Sequence, residues 1–410
     1  MNWANAASLA ETYGESFFIY DEAKFKSNFE ELSFAFNSRY PHTKIAYSYK
    51  TNYTPDICKL VNELGGYAEV VSEMEYFLAK RLGVPDNKII YNGPYKSAIS
   101  MRTALVSGSI VNIDSIRDLD VLLRISSEVP TKEFNVAIRC NFKIDNELES
   151  RFGLDVSGDE FRFAIASINN TPNVKLAGLH CHFPNRDLPS YAVRAKQMLE
   201  LSCQLFQNPP DFINLGGGFF GAMPNSLKNI YKFDLPSFND YADLVGGLFD
   251  NAYKDHYKKP ILFIEPGTAL VANTFEFYTK VINIKEIRGR RIVTVSGSIF
   301  NISPVARSIN LPVNILNQRE CIDAKNIDKL FDVAGFTCIE SDYLSRGVKG
   351  IIEVGDFLVY SNVGSYSIVM KPPFILPNYA ILKKVDGSVD YMLVRKQESP
   401  EYIFSNFTSY

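Results

Sequence analysis

A lysine, a histidine and two carboxylates each occur in or directly after a short apolar run of this sequence. Lys50 follows AYSY, His182 lies in LHCHF, Glu69 in GYAEVVS and Glu265 in ILFIEPG. A lysine amine can form a Schiff base with an aldehyde, while imidazole and carboxylate groups can hold or transfer protons. Three consecutive glycines at positions 216–218 add backbone amides that can turn inward together and bind an anion.

The pattern of apolar residues predicts a scaffold that brings these groups together. Stretches with helical spacing separate eight apolar runs, at residues 44–50, 66–72, 88–94, 110–115, 135–142, 176–183, 211–218 and 261–267. Strands that alternate with helices form parallel βα units, and eight such units predict a (β/α)8 barrel of the TIM type. Active sites of such barrels lie at the carboxyl ends of the strands. The residues predicted at that rim are Lys50, Glu69, Arg139, His182, Gly216, Gly217, Gly218 and Glu265.

After about residue 274 the pattern changes to that of an antiparallel β domain, either a barrel or a sandwich. FEFYTKVINIKEIRGRRIVTVSG predicts a hairpin around RGRR, and YAILKKVDGSVDYMLVRK predicts a second one with its turn at Asp386-Gly387. The run SFFIYDE, residues 16–22, predicts an N-terminal strand that pairs with this domain. The predicted bounds are 25–274 for the barrel and 1–24 with 275–410 for the β domain.

Composition argues against several classes of function. The 410 residues are 46% hydrophobic and 22% charged with a formal net charge of -3, which gives no electrostatic reason to bind nucleic acid or an anionic membrane. No apolar run approaches the about 18 residues that a spanning helix needs, and the first residues do not resemble a signal peptide. The six cysteines are scattered, which predicts free thiols in a reducing cytoplasm. The histidine pair in HCH has no HExxH or CxxC beside it, so we predict no metal site.

A lysine, a carboxylate, an imidazole and a glycine loop at one rim together predict pyridoxal 5′-phosphate as the cofactor. The motifs YSYKTN, GYAEVVSEMEYFLAKRLGV, YNGPYKS, RFGL, LHCHF, INLGGGFFG, IEPG, GFTCIESDYL and VGSY follow one another along the chain. In this order they resemble the alanine-racemase-fold pyridoxal-phosphate decarboxylases, typified by the ornithine and diaminopimelate decarboxylases. The resemblance extends over nearly the whole chain.

The resemblance implies roles for individual residues. Lys50 is implied to carry the Schiff base, with the acidic side chain of Glu69 near it. His182 is implied to stack on the cofactor ring, and Glu265 to pair with the pyridine nitrogen and keep it protonated, whereas His180 is predicted to be a packed structural neighbour. The further residues predicted to bind the cofactor are Arg139, Asn185, Gly216, Gly217, Gly218, Gly267, Thr268 and Tyr366.

Cys338, in GFTCIESDYL, lies far beyond the barrel in the sequence. In the enzymes that the chain resembles, this segment crosses a dimer interface and enters the active site of the partner subunit. The resemblance therefore implies a head-to-tail homodimer with shared active sites. Cys338 of one subunit, aided by Lys50, is then implied to return a proton to Cα after CO₂ has left.

Departures from the family pattern concern the substrate. Ile339 stands where the family has an acidic residue that binds a distal amine, which argues against ornithine, lysine and the D-centre of diaminopimelate. Glu340 could supply that acidic contact if the loop shifts by one residue. The segment ISPVARSIN resembles the specificity helix, with Ser303 in place of an arginine, and we predict that Arg307 binds a carboxylate or another polar acceptor of the substrate. Asp342 is a further predicted substrate-binding residue.

These observations predict a cytoplasmic pyridoxal-phosphate decarboxylase with a small amino-acid-type substrate. That substrate could be an acidic amino acid, or an amino acid conjugated to a larger acid or a carrier. Glu265 favours decarboxylation, because the alanine racemases of this fold place an arginine at the ring nitrogen. Three alternatives remain open: diaminopimelate decarboxylase proper, an amino-acid racemase of the same fold, and a catalytically silent regulatory paralogue.

Overall fold

The computed structural model describes residues 1–144, 149–302, 309–319, 329–385 and 387–409. The chain divides into two units. One consists of Ser27–Gly221 with Phe233–Leu270, and the other of Met1–Lys26, Ala222–Lys232 and Val271–Tyr410. Among the described residues, no helix has both the length and the apolar character needed to cross a membrane.

The two units contain strands and helices in the following order. The strands are β1 Ser16–Tyr20, β2 Thr43–Ser48, β3 Tyr67–Val70, β4 Ile89–Tyr91, β5 Ile110–Ile113, β6 Phe134–Asn141, β7 Leu154–Asp155, β8 Val174–His180, β9 Phe212–Asn214, β10 Ile261–Ile264, β11 Phe275–Ile287, β12 Arg290–Val295, β13 Val313–Leu316, β14 Lys329–Ala334, β15 Tyr343–Gly350, β16 Phe357–Ser361, β17 Ala380–Lys384 and β18 Tyr391–Arg395. The α-helices are α1 Trp3–Tyr13, α2 Glu22–Asn37, α3 Pro55–Glu63, α4 Glu73–Arg81, α5 Ala98–Ser107, α6 Ile116–Glu128, α7 Asp159–Asn169, α8 Leu188–Leu205, α9 Asn225–Lys228, α10 Phe238–Tyr241, α11 Gly247–Tyr253, α12 Thr268–Val271, α13 Ile299–Ile302 and α14 Pro400–Phe404.

Eight parallel strands among the described residues close a barrel in the larger unit. Each strand of the series β2-β3-β4-β5-β6-β8-β9-β10 is hydrogen-bonded to the next, and β10 pairs with β2 to complete the ring. The short β7 pairs with β6 outside this ring. Every apolar run predicted to be a barrel strand overlaps one, so the (β/α)8 prediction is confirmed.

Local sequence signals set the ends of the barrel helices. Helix α4 begins after Ser72, whose side chain accepts a hydrogen bond from the Glu75 amide, and its last turn carries Lys80 and Arg81. The N-cap supplies an acceptor for a free amide, and the cations lie at the negative end of the helix dipole. Helix α5 ends at Gly108, which is left-handed with φ of 90°.

The barrel interior combines small and large side chains. Ala46, Ala137 and Ala177 pack in one buried cluster with Phe212 and Phe263. The two phenylalanine rings meet edge to face with their centroids 5.5 Å apart. Small residues beside large ones fill an eight-stranded barrel with side chains, so this interior is a packed core.

A nine-stranded sheet, counted over the described residues, forms the smaller unit. Strand β1 lies between β11 and β17, so the N-terminal segment pairs with the C-terminal part of the chain as predicted. Strands β11 and β12 form the predicted hairpin, with Arg288 and Gly289 at positive φ in its turn. The sheet is mixed, because β1 pairs with β17 and β12 with β14 in parallel. Long connections permit parallel pairing, which a tight hairpin does not.

Helix α1 covers part of this sheet, although it was not predicted from the sequence. Ala6 is fully buried in a cluster with Phe17 and Phe357, and the Trp3 Nε1 donates a hydrogen bond to the Gly355 carbonyl at 3.0 Å. Trp3, Ala6, Ala7 and Ala10 recur at helical spacing, which is the signal that predicts such a helix.

A buried ion pair connects the segment after β4 to helix α6. Lys96 Nζ lies 2.7 Å from Asp118 Oδ2, and both side chains are fully buried. Lys96 also donates to the Gly93 carbonyl at 2.7 Å. A buried carboxylate that loses its cation is strongly destabilising, because no water replaces the lost partner.

We expect Lys96→Met to lower the free energy of unfolding by about 3–5 kcal/mol, because it removes the buried cation of the Asp118 carboxylate. Arg117, the other cation near Asp118, is 3.8 Å away and half exposed, so it does not replace Lys96. Lys59→Met is the matched control, since Lys59 pairs with Glu63 at 3.7 Å on the surface of a helix. That change should cost less than about 1 kcal/mol. Urea unfolding followed by circular dichroism measures both, and equal losses would contradict the assignment of a buried pair.

Candidate active site

Lys50 lies in a short 3₁₀ turn, Tyr49–Thr51, directly after β2. Its Nζ donates to both carboxylate oxygens of Glu69, at 3.0 and 2.8 Å. The Ser48 hydroxyl also donates to Glu69, because the parallel register of β2 and β3 places these two residues opposite each other. Glu69 is fully buried, whereas 34% of the Lys50 side chain is exposed. The amine is therefore held by a buried carboxylate while remaining accessible from the rim.

Glu265, which follows β10, is the second buried carboxylate at this rim. Its Oε1 accepts hydrogen bonds from Asn92 Nδ2 at 2.8 Å and Asn214 Nδ2 at 2.7 Å. The His180 Nε2 lies 3.5 Å from the other oxygen. Asn92 Nδ2 also donates to Glu69 Oε1 at 3.0 Å, so one amide nitrogen connects the two carboxylates.

The carboxyl group of Glu265 is ionised at neutral pH. Burial by itself raises the pKa of Glu265, but the nearby His180 and Lys50 outweigh burial and hold the pKa well below its usual range. An anionic carboxylate in a site closed to water can keep a proton on a ring nitrogen.

His182 lies two residues beyond the end of β8 and is neutral. Burial, followed by the charges of Lys50 and Arg139, holds the pKa of His182 well below its ordinary value. The Gly217 amide donates to His182 Nδ1 at 3.0 Å, which leaves the ring proton on Nε2. A neutral, oriented imidazole is what the predicted stacking role requires.

The glycine loop after β9 can exist only without Cβ atoms. Gly216 and Gly218 have positive φ, and a Cβ on Gly217 would lie 2.3 Å from the Glu265 carbonyl. Neither the Gly218 amide nor the Phe219 amide finds an acceptor among the described residues. Backbone amides without a partner on a loop free of side chains fit an anion such as a phosphate.

The other barrel residues predicted to bind the cofactor lie at the same end of the barrel. Arg139 forms an ion pair with Asp114 at 2.9 Å, and the Asn185 carbonyl accepts a hydrogen bond from a buried arginine of α8. A Cβ on Gly267 would collide with the turn after β2, and Thr268 is the first residue of α12. Their contacts with the cofactor stay predictions.

Cys338 lies in the other unit, in the exposed connection between β14 and β15. The carboxylate of Asp342 holds this loop, since Oδ1 accepts from the Ile299 amide at 2.8 Å and Oδ2 from the Thr337 hydroxyl at 2.6 Å. Ile339, next to the cysteine, is 37% exposed. The loop thus presents a thiol on a fixed backbone.

Four predicted site residues remain. Glu340 is exposed in the same loop as Cys338, and Tyr366 is half-buried with φ of 63°, an uncommon backbone conformation for a tyrosine. Ser303 and Arg307 lie outside the described residues.

The structure reveals site residues that were not predicted. Asn92 and Asn214 lie just after β4 and at the end of β9, so the rule that selected the charged rim residues would have found them. His180 was predicted to be a packed neighbour and is buried, but it also approaches Glu265. Among the described residues, no group of three or more His, Cys, Asp or Glu side chains could hold a metal ion.

An amine held by a carboxylate, close to a loop that can bind an anion, suits an aldehyde cofactor that carries a phosphate. Fold and site together therefore define a barrel enzyme of the pyridoxal-phosphate class. The family model described as "Pyridoxal-dependent decarboxylase, pyridoxal binding domain" matches residues 26–272, and the chain belongs to this family. It is a pyridoxal-phosphate-dependent carboxy-lyase that acts on an amino acid, as the sequence predicted.

Similar proteins match over nearly the whole chain. The diaminopimelate decarboxylase of Aquifex aeolicus is 27% identical over 96% of this chain and 92% of its own length. The diaminopimelate decarboxylase of Methanocaldococcus jannaschii is 28% identical over 89% of this chain and 85% of its own. A crystal structure of the M. jannaschii diaminopimelate decarboxylase in complex with L-lysine has a TM-score of 0.86 at 25% identity, covering 98% and 93% of the two chains.

Glu75, close to Glu69, is a buried carboxyl group with a raised pKa. Its Oε2 accepts a hydrogen bond from the Val71 amide at 2.8 Å. Burial, and to a lesser extent the charge of Glu69, raises the pKa of Glu75 to about 7. The folded state therefore keeps a proton that the unfolded chain releases near pH 4.3 (about the value of a free glutamate).

We expect Glu75→Gln to make the protein progressively more stable than the parent as pH rises from 5 to 8. In the parent, the stabilisation that comes from the raised carboxyl pKa is complete below the pKa of the group in the unfolded chain. It is lost as the pH rises through the pKa of the group in the folded protein. Glutamine does not titrate, so the variant has no such loss. Glutamine also keeps an acceptor for Val71. The stability difference between variant and parent should grow by about 2–3 kcal/mol from pH 5 to pH 8.

Urea unfolding at pH 5, 6, 7 and 8 measures this gain. Glu73→Gln, in the same helical turn but exposed, is the control and should change stability equally at every pH. If Glu75→Gln also shifted stability by one constant amount, a raised Glu75 pKa would be ruled out.

Proposed function

We propose that the enzyme holds pyridoxal phosphate as a Schiff base on Lys50, and that residues 25–274 form the cofactor-binding domain. The hydrogen-bonded path from Lys50 through Glu69 and Asn92 to Glu265 carries this proposal. It puts the amine and the anionic carboxylate that such a cofactor needs in one connected group of side chains.

The chain's own groups then have separate tasks. When bound, pyridoxal phosphate supplies an electron sink for cleavage of a bond at Cα. Glu69 holds and orients the Lys50 amine, and Glu265 keeps the proton on the pyridine nitrogen. His182 offers a neutral ring face, and the amides of the glycine loop receive the phosphate.

We further propose that Cys338 of the partner subunit returns the proton to Cα in a head-to-tail homodimer. Residues 1–24 and 275–410 would then form the domain that contributes to the dimer interface and the shared site. The exposed position of Cys338 and the hydrogen bonds that fix its loop support this role.

The substrate is proposed to lack a free distal ammonium group. Ile339, beside Cys338, is apolar and offers no charge to such a group. An acidic amino acid, or an amino acid conjugated to a larger acid or carrier, fits this loop better. Arg307 and Ser303 keep their predicted roles in binding the far end of the substrate. Glu340 would supply an acidic contact only for a substrate with a distal amine, and Asp342 is proposed to act by holding the Cys338 loop.

Diaminopimelate decarboxylase proper is the second candidate function. Its support is that curated relatives with this activity match the chain nearly from end to end. The M. jannaschii homologue also binds L-lysine, which has a distal amine. The two candidates differ in whether the Cys338 loop tolerates that amine.

Release of CO₂ from a panel of amino acids tests the substrate proposal. We expect turnover of acidic or conjugated amino acids and none of lysine, ornithine or meso-diaminopimelate. Turnover of meso-diaminopimelate would overturn the interpretation of Ile339 and establish the second candidate.

Borohydride reduction and peptide mapping of the loaded enzyme should label Lys50, with Lys50→Ala as the unlabelled control.

Mixing two inactive variants tests the shared site. Lys50→Ala and Cys338→Ala homodimers should each lose most activity, whereas subunit exchange between equal amounts should restore about one quarter of the parent's activity. In a symmetric dimer, each subunit supplies Lys50 to one site and Cys338 to the other, so one site in four is intact. The control is Cys203→Ala, another exposed cysteine, which should stay active. No recovery after demonstrated exchange would reject a shared site.

A further inference from the structure

Arg194, in the middle of helix α8, is fully buried. Arginine is almost never fully buried unless its charge is paired. Here no carboxylate of the described residues forms a salt bridge with it, and the nearest flat groups are the rings of Tyr191 at 4.3 Å and Phe183 at 5.7 Å. Its Nε has no hydrogen-bond partner among the described residues. Within the part of the chain that the structure describes, this buried cation thus has no anionic partner.

The guanidinium group of Arg194 donates hydrogen bonds to backbone carbonyls around the glycine loop. Its Nη1 donates to the Gly217 carbonyl at 3.0 Å, and its Nη2 donates to Phe183 at 3.1 Å and to Asn185. The Tyr191 hydroxyl donates to the same Gly217 carbonyl at 2.8 Å. Side chains from one helix therefore fix the orientation of this peptide group.

That orientation decides where the next amide points. In a planar trans peptide, the N–H of Gly218 points away from the carbonyl of Gly217. Because the carbonyl faces Arg194, the Gly218 amide faces away from the guanidinium, and this is one of the two loop amides without an acceptor. A Cβ built on Gly218 would lie 3.8 Å from Arg194 Nη1, so the cation lies directly behind the loop.

We propose that Arg194 is a positioning residue for the cofactor phosphate. It holds the Gly217–Gly218 peptide with its amide turned towards the phosphate, and the phosphate is the anion that balances its buried charge. This inference rests on the proposed placement of the phosphate at Gly216–Gly218. It makes Arg194 responsible for the preference for a phosphorylated cofactor rather than for the chemistry at Cα.

Affinities of the cofactor-free enzyme for pyridoxal phosphate and for pyridoxal test the proposal, because the two ligands differ only in the phosphate. Arg194→Met should weaken binding of pyridoxal phosphate by about 10- to 100-fold, the size of one or two hydrogen bonds involving a charge. Binding of pyridoxal should change less than about threefold. Lys196→Met, which removes an exposed cation from the same helix, should change neither affinity.

Arg194→Lys provides a second variant if Arg194→Met fails to fold. It keeps the charge but cannot hold three carbonyls in one plane, so the ratio of the two affinities should fall at least about threefold. A ratio that stays at the parent's value in the folded variant, or equal losses for both ligands, would reject the role of Arg194. If the parent itself binds pyridoxal as tightly as pyridoxal phosphate, the placement of the phosphate fails instead.

Discussion

The candidate site depends on the burial of two carboxylates, Glu69 and Glu265, away from water. A buried carboxylate is costly unless hydrogen bonds and cations replace the water that it loses. Asn92 donates to both groups from one nitrogen, and the Asn112 side chain donates to the Asn92 oxygen and so fixes which way the amide faces. Lys50 adds a cation at Glu69. A change at Asn92 would therefore act at once on the lysine's partner and on the carboxylate proposed for the ring nitrogen.

Strand register explains why these groups meet. In the parallel barrel, Asn214 of β9 pairs with His180 of β8 on one side and with Phe263 of β10 on the other. Glu265 lies two residues beyond Phe263, within reach of both polar neighbours. Two of the groups that contact this carboxylate, Asn214 and His180, thus come from the same level of adjacent strands.

Much of this arrangement could be predicted from the sequence. Apolar runs alternating with helical spacing predict the barrel, and the rule for strand ends places Lys50, Glu69 and Glu265 at one rim. Asn92 and Arg194 escaped prediction for different reasons. Asn92 is a neutral amide in a turn sequence, where asparagine is common for local reasons. Arg194 looks like an ordinary helical arginine until the packing of α8 shows that it is buried.

The sequence by itself determined which chemical groups are available and the order of the strands that carry them, because periodicity and turn residues are local properties. Only the tertiary structure decided the protonation states of these groups. Glu265 is anionic because neighbouring groups outweigh the burial that raises its pKa. His182 is neutral because burial and the charges of Lys50 and Arg139, which are far away in the chain, lower its pKa. A protonation state depends on distances and on exclusion of water, and the linear sequence contains neither.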